Sequence, residues 1–225
     1  TLFRSQYLFI IIKKELYNII VLKLRIIVGW WMNNQSRQAL WLALAGSIVL
    51  MIGMGYGRFA FTGVLPLMLN EGLLTLHEGN LAASANYAGY LVGALLLARV
   101  QPGAATRLSI ISAGLTIASL ALLAWVSSPW TIITLRAVAG ALSAITLIAG
   151  SLWLLEHMGH HHGAPLLYAG VGLGIFISAE GIALGHALSL TSQQIWLLCA
   201  LCAGLLLALA IRWLLTPPAA LVRVS

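Results

Sequence analysis

Six apolar runs, each of roughly twenty residues or more, occupy most of the chain between residues 39 and 215. A run of that length is what an α-helix needs to cross about 30 Å of hydrocarbon. The runs cover about 39–69, 79–99, 107–127, 130–155, 164–190 and 193–215. The breaks between them are short and carry helix-ending residues. They are Asn70-Glu71-Gly72, Pro102-Gly103, Ser127-Ser128-Pro129, Gly163 before Pro165, and Thr191-Ser192-Gln193-Gln194. The expected fold class is an all-α membrane protein, a six-transmembrane-helix bundle. Composition excludes the soluble alternative. The chain is 61% hydrophobic and 8% charged, and it contains no Asp, so it cannot build a charged exterior.

Residues 1–31 differ in composition from the rest of the chain. They hold Lys13, Lys14 and Lys23, all the lysines present, and no alanine. From Ala39 onward Ala, Gly and Leu dominate. The shift divides the chain into a non-native or membrane-surface extension over 1–31, a helical unit over 32–215 starting at Met32, and a tail or linker over 216–225. The net charge of +7 is spread over helix ends. That pattern suits anionic lipid head groups and offers no nucleic-acid patch.

Arginine placement sets an expected orientation. Arg37 precedes the first run, Arg99 and Arg107 flank the second break, and Arg212 and Arg223 follow or end the last run. The first, third and fifth breaks have neither Lys nor Arg. The positive-inside rule then places both termini in the cytoplasm of a multi-pass inner-membrane protein. Trp41, Trp125, Trp130, Trp153, Trp196 and Trp213 lie near run ends, as an interfacial belt predicts.

Helices in lipid associate through close packing, so small residues mark contact faces. Gly53 and Gly57 fall in the first run, and Gly89 and Gly93 in the second. Gly140 and Ala144 fall in the fourth, and Gly170, Gly174, Ser178, Gly181 and Gly185 in the fifth. The glycine-rich first and fifth runs are also places where a helix can unwind beside a cavity.

Ionisable groups inside a span are costly and usually face an interior or a pathway. Arg58, Arg136 and Glu180 are such groups, and Glu180 is a candidate ion-pair partner for Arg58 or Arg136. Asn86 and Tyr90, four apart, present hydrogen-bonding groups on one helix face. These five are the candidate substrate- or proton-coupling residues. An ion pair that only fixes helix packing is the structural alternative. His157, His160, His161 and His162 crowd one break as a solvated loop, and no metal site or cofactor is expected. Cys199 and Cys202 read as ordinary buried packing.

Against this background the chain resembles the first half of a major facilitator superfamily transporter, in its YbfB/YjiJ-like branch. The resemblance rests on Gly53-Met54-Gly55-Tyr56-Gly57-Arg58-Phe59-Ala60-Phe61-Thr62-Gly63-Val64-Leu65-Pro66-Leu67-Met68. It continues in Gly79-Asn80-Leu81, in Asn86 to Gly93 and in Gly170 to Ile175. Arg136 and Gly140 match the Arg-x-x-x-Gly core of a motif linked to proton coupling, with Ala139 where Gln is common. The acidic residue usual between spans two and three is missing, and so is the Gly-Pro pair of antiporters. The resemblance implies a twelve-helix fold of two halves, each with 3+3 inverted repeats, of which this chain carries the N-terminal six.

The expected function is secondary active transport of a small solute by alternating access, with protons as a candidate coupling ion. The expected partners are the bilayer, the solute, and a second half or second copy that completes the cavity. A non-transporting membrane subunit is the alternative. An intramembrane enzyme is disfavoured, because no span has a Gly-x-Ser-x-Gly elbow and carboxylates are scarce.

Overall fold

The computed structural model describes residues 34–217. The expected extension over 1–31 lies outside the described residues, as does the tail beyond residue 217. Every regular element among the described residues is helical. Helix α1 is one rod made of Asn34–Leu50, a π-helical stretch Met51–Phe59, and Ala60–Asn70. Then come α2 (Leu76–Leu96) and α3 (Ala105–Leu123), the latter led in by the 3₁₀ turn Pro102–Ala104. Helix α4 (Pro129–Leu152) continues into a π turn, Trp153–His157. Last are α5 (Ala164–Ala187), preceded by the 3₁₀ turn His161–Gly163, and α6 (Ser192–Leu214).

The helix ends follow from local chemistry. Thr75 and Glu78 form a reciprocal capping box at α2, and Thr191 and Gln194 form another at α6. Each satisfies amides that a helix start leaves unpaired. Pro129 and Pro165 stand in the first turns of α4 and α5, where a missing N–H costs nothing. Glu71, just past α1, accepts from the backbone N of Ser192 at 2.8 Å and from the Ser192 hydroxyl. That staple ties the α1–α2 turn to the start of α6.

Five helical segments are long and apolar enough to cross a membrane. Helix α2 is long enough at 21 residues, but His77, Glu78, Asn80 and Asn86 lower its hydropathy, and it falls outside those five. Helix α1 is the axis of the bundle. The apolar window of α1 is 72% buried, against 28–50% for the other four, and it touches α3, α4, α5 and α6. Helix α2 meets α1 more lightly and lies mainly against α4, the most extensive helix contact among the described residues.

Two apolar clusters fill the interior. One holds Ile52, Tyr56, Phe61, Met68, Leu120, Ile132 and Trp196. The other holds Leu42, Val49, Leu50, Trp153, Leu167 and Leu214. The π stretch begins where the clusters meet, between Leu50 and Ile52.

Tryptophan burial corrects the belt expected from sequence. Trp153 and Trp196 are fully buried core residues. Trp41, Trp125 and Trp130 are exposed, and Trp213 stacks on Trp41 at 5.7 Å. Proximity to a helix end sets the height of an indole but not the side of the helix on which it lies.

The glycines let backbones touch. A Cβ on Gly89 would collide with the Ala137 carbonyl, one on Gly93 with that of Ala141, and one on Gly140 with that of Asn86. On α1 and α5, Gly55 and Gly174 face each other, Gly170 meets Ser47, and Gly53 and Gly57 meet Thr146 and Thr116. Gly181 departs from the expected packing set, since nothing lies within 4 Å of an added Cβ there. Gly140→Ala should therefore destabilise by about 1–3 kcal/mol through overpacking. It should lower the thermal midpoint in detergent, while Gly172→Ala, which meets open space, leaves the midpoint unchanged or higher.

The histidine loop yields a pH dependence. His160 is half-buried and its Nε2 has no partner. Burial first, then His162 and His161, hold its pKa below the ordinary 6.5. The unfolded loop takes up a proton near pH 6.5 and the folded loop only at lower pH, so stability is full above that pH and falls as pH drops through it. Hydrogen-exchange protection factors at residues 158–163, corrected for the intrinsic pH dependence of exchange, should fall below pH 6.5, and His160→Gln should flatten that fall.

Candidate functional site

The π stretch of α1 sets the site. Gly53, Gly55 and Gly57 allow α3, α4 and α5 to approach closely, and the cap amide of Ala60 bonds back to the Gly55 carbonyl, five residues away. Where i→i−5 spacing gives way to i→i−4, carbonyls become available to outside donors. Arg136 of α4 uses them. Its Nη1 donates to the Gly57 carbonyl and its Nη2 to the Arg58 carbonyl, both at 2.9 Å. The guanidinium also sits 4.6 Å from the centre of the Phe61 ring. Arg136 is 1% exposed, and its Nε has no partner.

Arg58 is held differently. Its guanidinium lies 4.1 Å from the ring centre of Tyr90, 5.0 Å from Tyr87 and 5.6 Å from Phe59. Three electron-rich faces give a cation an environment that water would otherwise supply. Asn86, buried on α2, donates from Nδ2 to the Arg136 carbonyl at 2.9 Å. Gly140 lies one turn beyond Arg136, and its bare Cα admits the Asn86 backbone. Helix α2 thus clamps α4 at the residue whose side chain grips α1.

These groups enclose a cavity of about 70 Å³. Arg58 and Arg136 line it, with Phe59, Phe61, Thr62, Ala83, Asn86 and Tyr87. Sequence reasoning named Arg58, Arg136, Asn86 and Tyr90. It missed Phe61 and Tyr87 as partners of the arginines. The available signal was spacing, since Phe61 is three residues after Arg58 and Tyr87 is three before Tyr90.

Glu180 does not join them. It is exposed on α5, whereas Ser178 and Ile182 are buried. At 3.6 residues per turn, Glu180 lies about 160–200° around the helix from either. It therefore points away from this bundle. Among the described residues neither arginine meets a carboxylate. The expected Glu180 ion pair is replaced by backbone carbonyls for Arg136 and aromatic rings for Arg58.

Among the described residues no three His, Cys, Asp or Glu side chains group to hold a metal ion. Cys199 is buried and Cys202 half-buried, both as free thiols. The site offers two guanidinium charges, an amide and aromatic walls. That is equipment for binding and orienting a solute, with no nucleophile–base pair.

Arg136→Met should leave one buried and one partly buried carbonyl without their donors and cost about 2–3 kcal/mol. Arg136→Lys retains the charge but not the planar fork and should lose less. Thermal midpoints of the two variants in detergent check the ranking.

A family model described as Uncharacterised MFS-type transporter YbfB matches residues 50–223, which includes the whole site. Comparison with curated proteins and with solved structures found no match.

Proposed function

This chain belongs to that family of MFS-type transporters, and from this premise we propose that it moves a small solute across a bacterial inner membrane by secondary active transport. The observation that carries the reading is the placement of Arg58 and Arg136 around one cavity, at the only long π-helical stretch among the described residues. A purely structural bundle of this composition would more cheaply place apolar side chains there. A π stretch is also a joint. It can shorten to α-helical spacing with a change in which carbonyls face Arg136, and that change would rotate one end of α1 relative to the other. Such rotation is a means of alternating access.

The finer reading has α2 as a sixth span beside the five apolar ones, the six arranged as 3+3 inverted repeats, and both termini in the cytoplasm. Arg37 and Arg212 on one side and the uncharged α3–α4 break on the other favour that orientation. The outward Glu180 supports a further element. A carboxylate facing lipid is costly, so we assign the exposed face of α5 to a second six-helix half or a second copy.

Proteoliposomes carrying the chain and a lumenal pH dye test the transport reading against a panel of organic acids, zwitterions and amines. Saturable solute-dependent flux, reduced at least tenfold by Arg58→Gln, is the expected result. Absence of flux with every class, including from a tandem fusion of two copies, would favour a non-transporting subunit. A fluorescent protein fused after residue 225 should fluoresce, since it matures on the cytoplasmic side.

A further inference from the structure

We infer that the cavity between α1, α2 and α4 recognises the carboxylate of an organic anion that carries an apolar body, with Arg58 and the spare donors of Arg136 as its anchors. This deepens the transporter reading of the same site and rests on it for the physiological role, although binding can be measured without transport.

Charge comes first. Each of the two arginines brings a guanidinium, the group proteins use to hold planar anions. They line one cavity, and no carboxylate among the described residues balances them. Arg136 is bonded to neutral carbonyls, which orient the fork without cancelling its charge. Two neighbouring cations in a low-dielectric setting favour an anion between them, and disfavour a cationic or neutral solute.

The donors agree. A guanidinium has five N–H groups. Arg136 has two in hydrogen bonds to α1, and its buried Nε–H is without a partner. A buried donor left unmade is costly, and an arriving acceptor removes that cost. The Arg58 guanidinium is fixed by aromatic faces. The rings contact it without accepting its N–H groups in conventional hydrogen bonds, and Arg58 lines the cavity, so those donors can serve a carboxylate oxygen.

Size and walls narrow the class. One water needs roughly 10–15 Å³ of such space, so about 70 Å³ admits a carboxylate and a short stem. Tyr87, which is 62% exposed, carries the aromatic wall out of the cavity, where it can stack on an aryl or alkyl body.

Radiolabelled benzoate is a suitable probe, with the full 225-residue chain in nanodiscs of zwitterionic lipid. Saturable binding is expected, displaced by other aryl carboxylates and at least tenfold less well by benzamide or benzyltrimethylammonium. Arg58→Gln should weaken binding at least tenfold, with Arg58→Lys in between. Should Arg58→Gln fail to fold, protection of the unaltered protein's arginines from phenylglyoxal by benzoate, but not by benzamide, serves instead. No saturable binding, equal displacement by benzamide or the ammonium compound, or undiminished binding by folded Arg58→Gln would overturn the inference. Loss of benzoate binding on adding phosphatidylglycerol would assign the site to a lipid head group and also overturn it. Solute flux without benzoate binding would sink the anion class and leave transport standing. Binding without any flux would do the reverse.

Discussion

The buried guanidinium of Arg136 is the constraint around which the rest of the bundle is arranged. A full charge inside a bundle built for lipid must be met by dipoles, countercharge or water. No carboxylate among the described residues meets it. The protein supplies two carbonyls of α1 and the face of Phe61. An ideal α-helix holds its own carbonyls in the ladder, so the donor on α4 and the π winding of α1 belong together. Neither arrangement is satisfactory without the other.

The glycines follow from the same requirement. For Arg136 to reach the Gly57 and Arg58 carbonyls, α1 and α4 must come close, and Gly53 against Thr146 permits it. For Asn86 to bond the Arg136 carbonyl, α2 and α4 must nearly touch, and Gly89, Gly93 and Gly140 permit that. Helix α5 closes on the other side of the π stretch through Gly174 against Met51 and Gly55. Lipid provides no hydrophobic incentive for these contacts, so backbone proximity and polar bonds carry the specificity.

The site is consequently rich in positive charge, while Glu180, the acid expected to pair with it, faces outward. On the proposed reading, such a site would discriminate by electrostatics first and by aromatic contact second. The π stretch begins at the junction of the two apolar clusters and ends at the site, which lies beside the first of them. A change of winding along it would alter both clusters and the carbonyls that Arg136 grips together.

The local rules of helix formation were readable from the chain itself. Apolar length, prolines and glycines specify where helices run, because each acts within a few residues. The close-packing glycines were readable for the same reason, since spacing of four places them on one face. Which side of each helix meets which neighbour is a property of the assembled bundle. The extra residue per turn in Met51–Phe59 shifts the register of α1, so no fixed period predicts which of its faces meets α4. Tertiary packing therefore decided that Trp153 and Trp196 are core, that Glu180 points away, and that Arg136 bonds carbonyls. The sequence determined a helical membrane bundle with embedded arginines; only the rotation of each helix about its axis decided what those arginines touch.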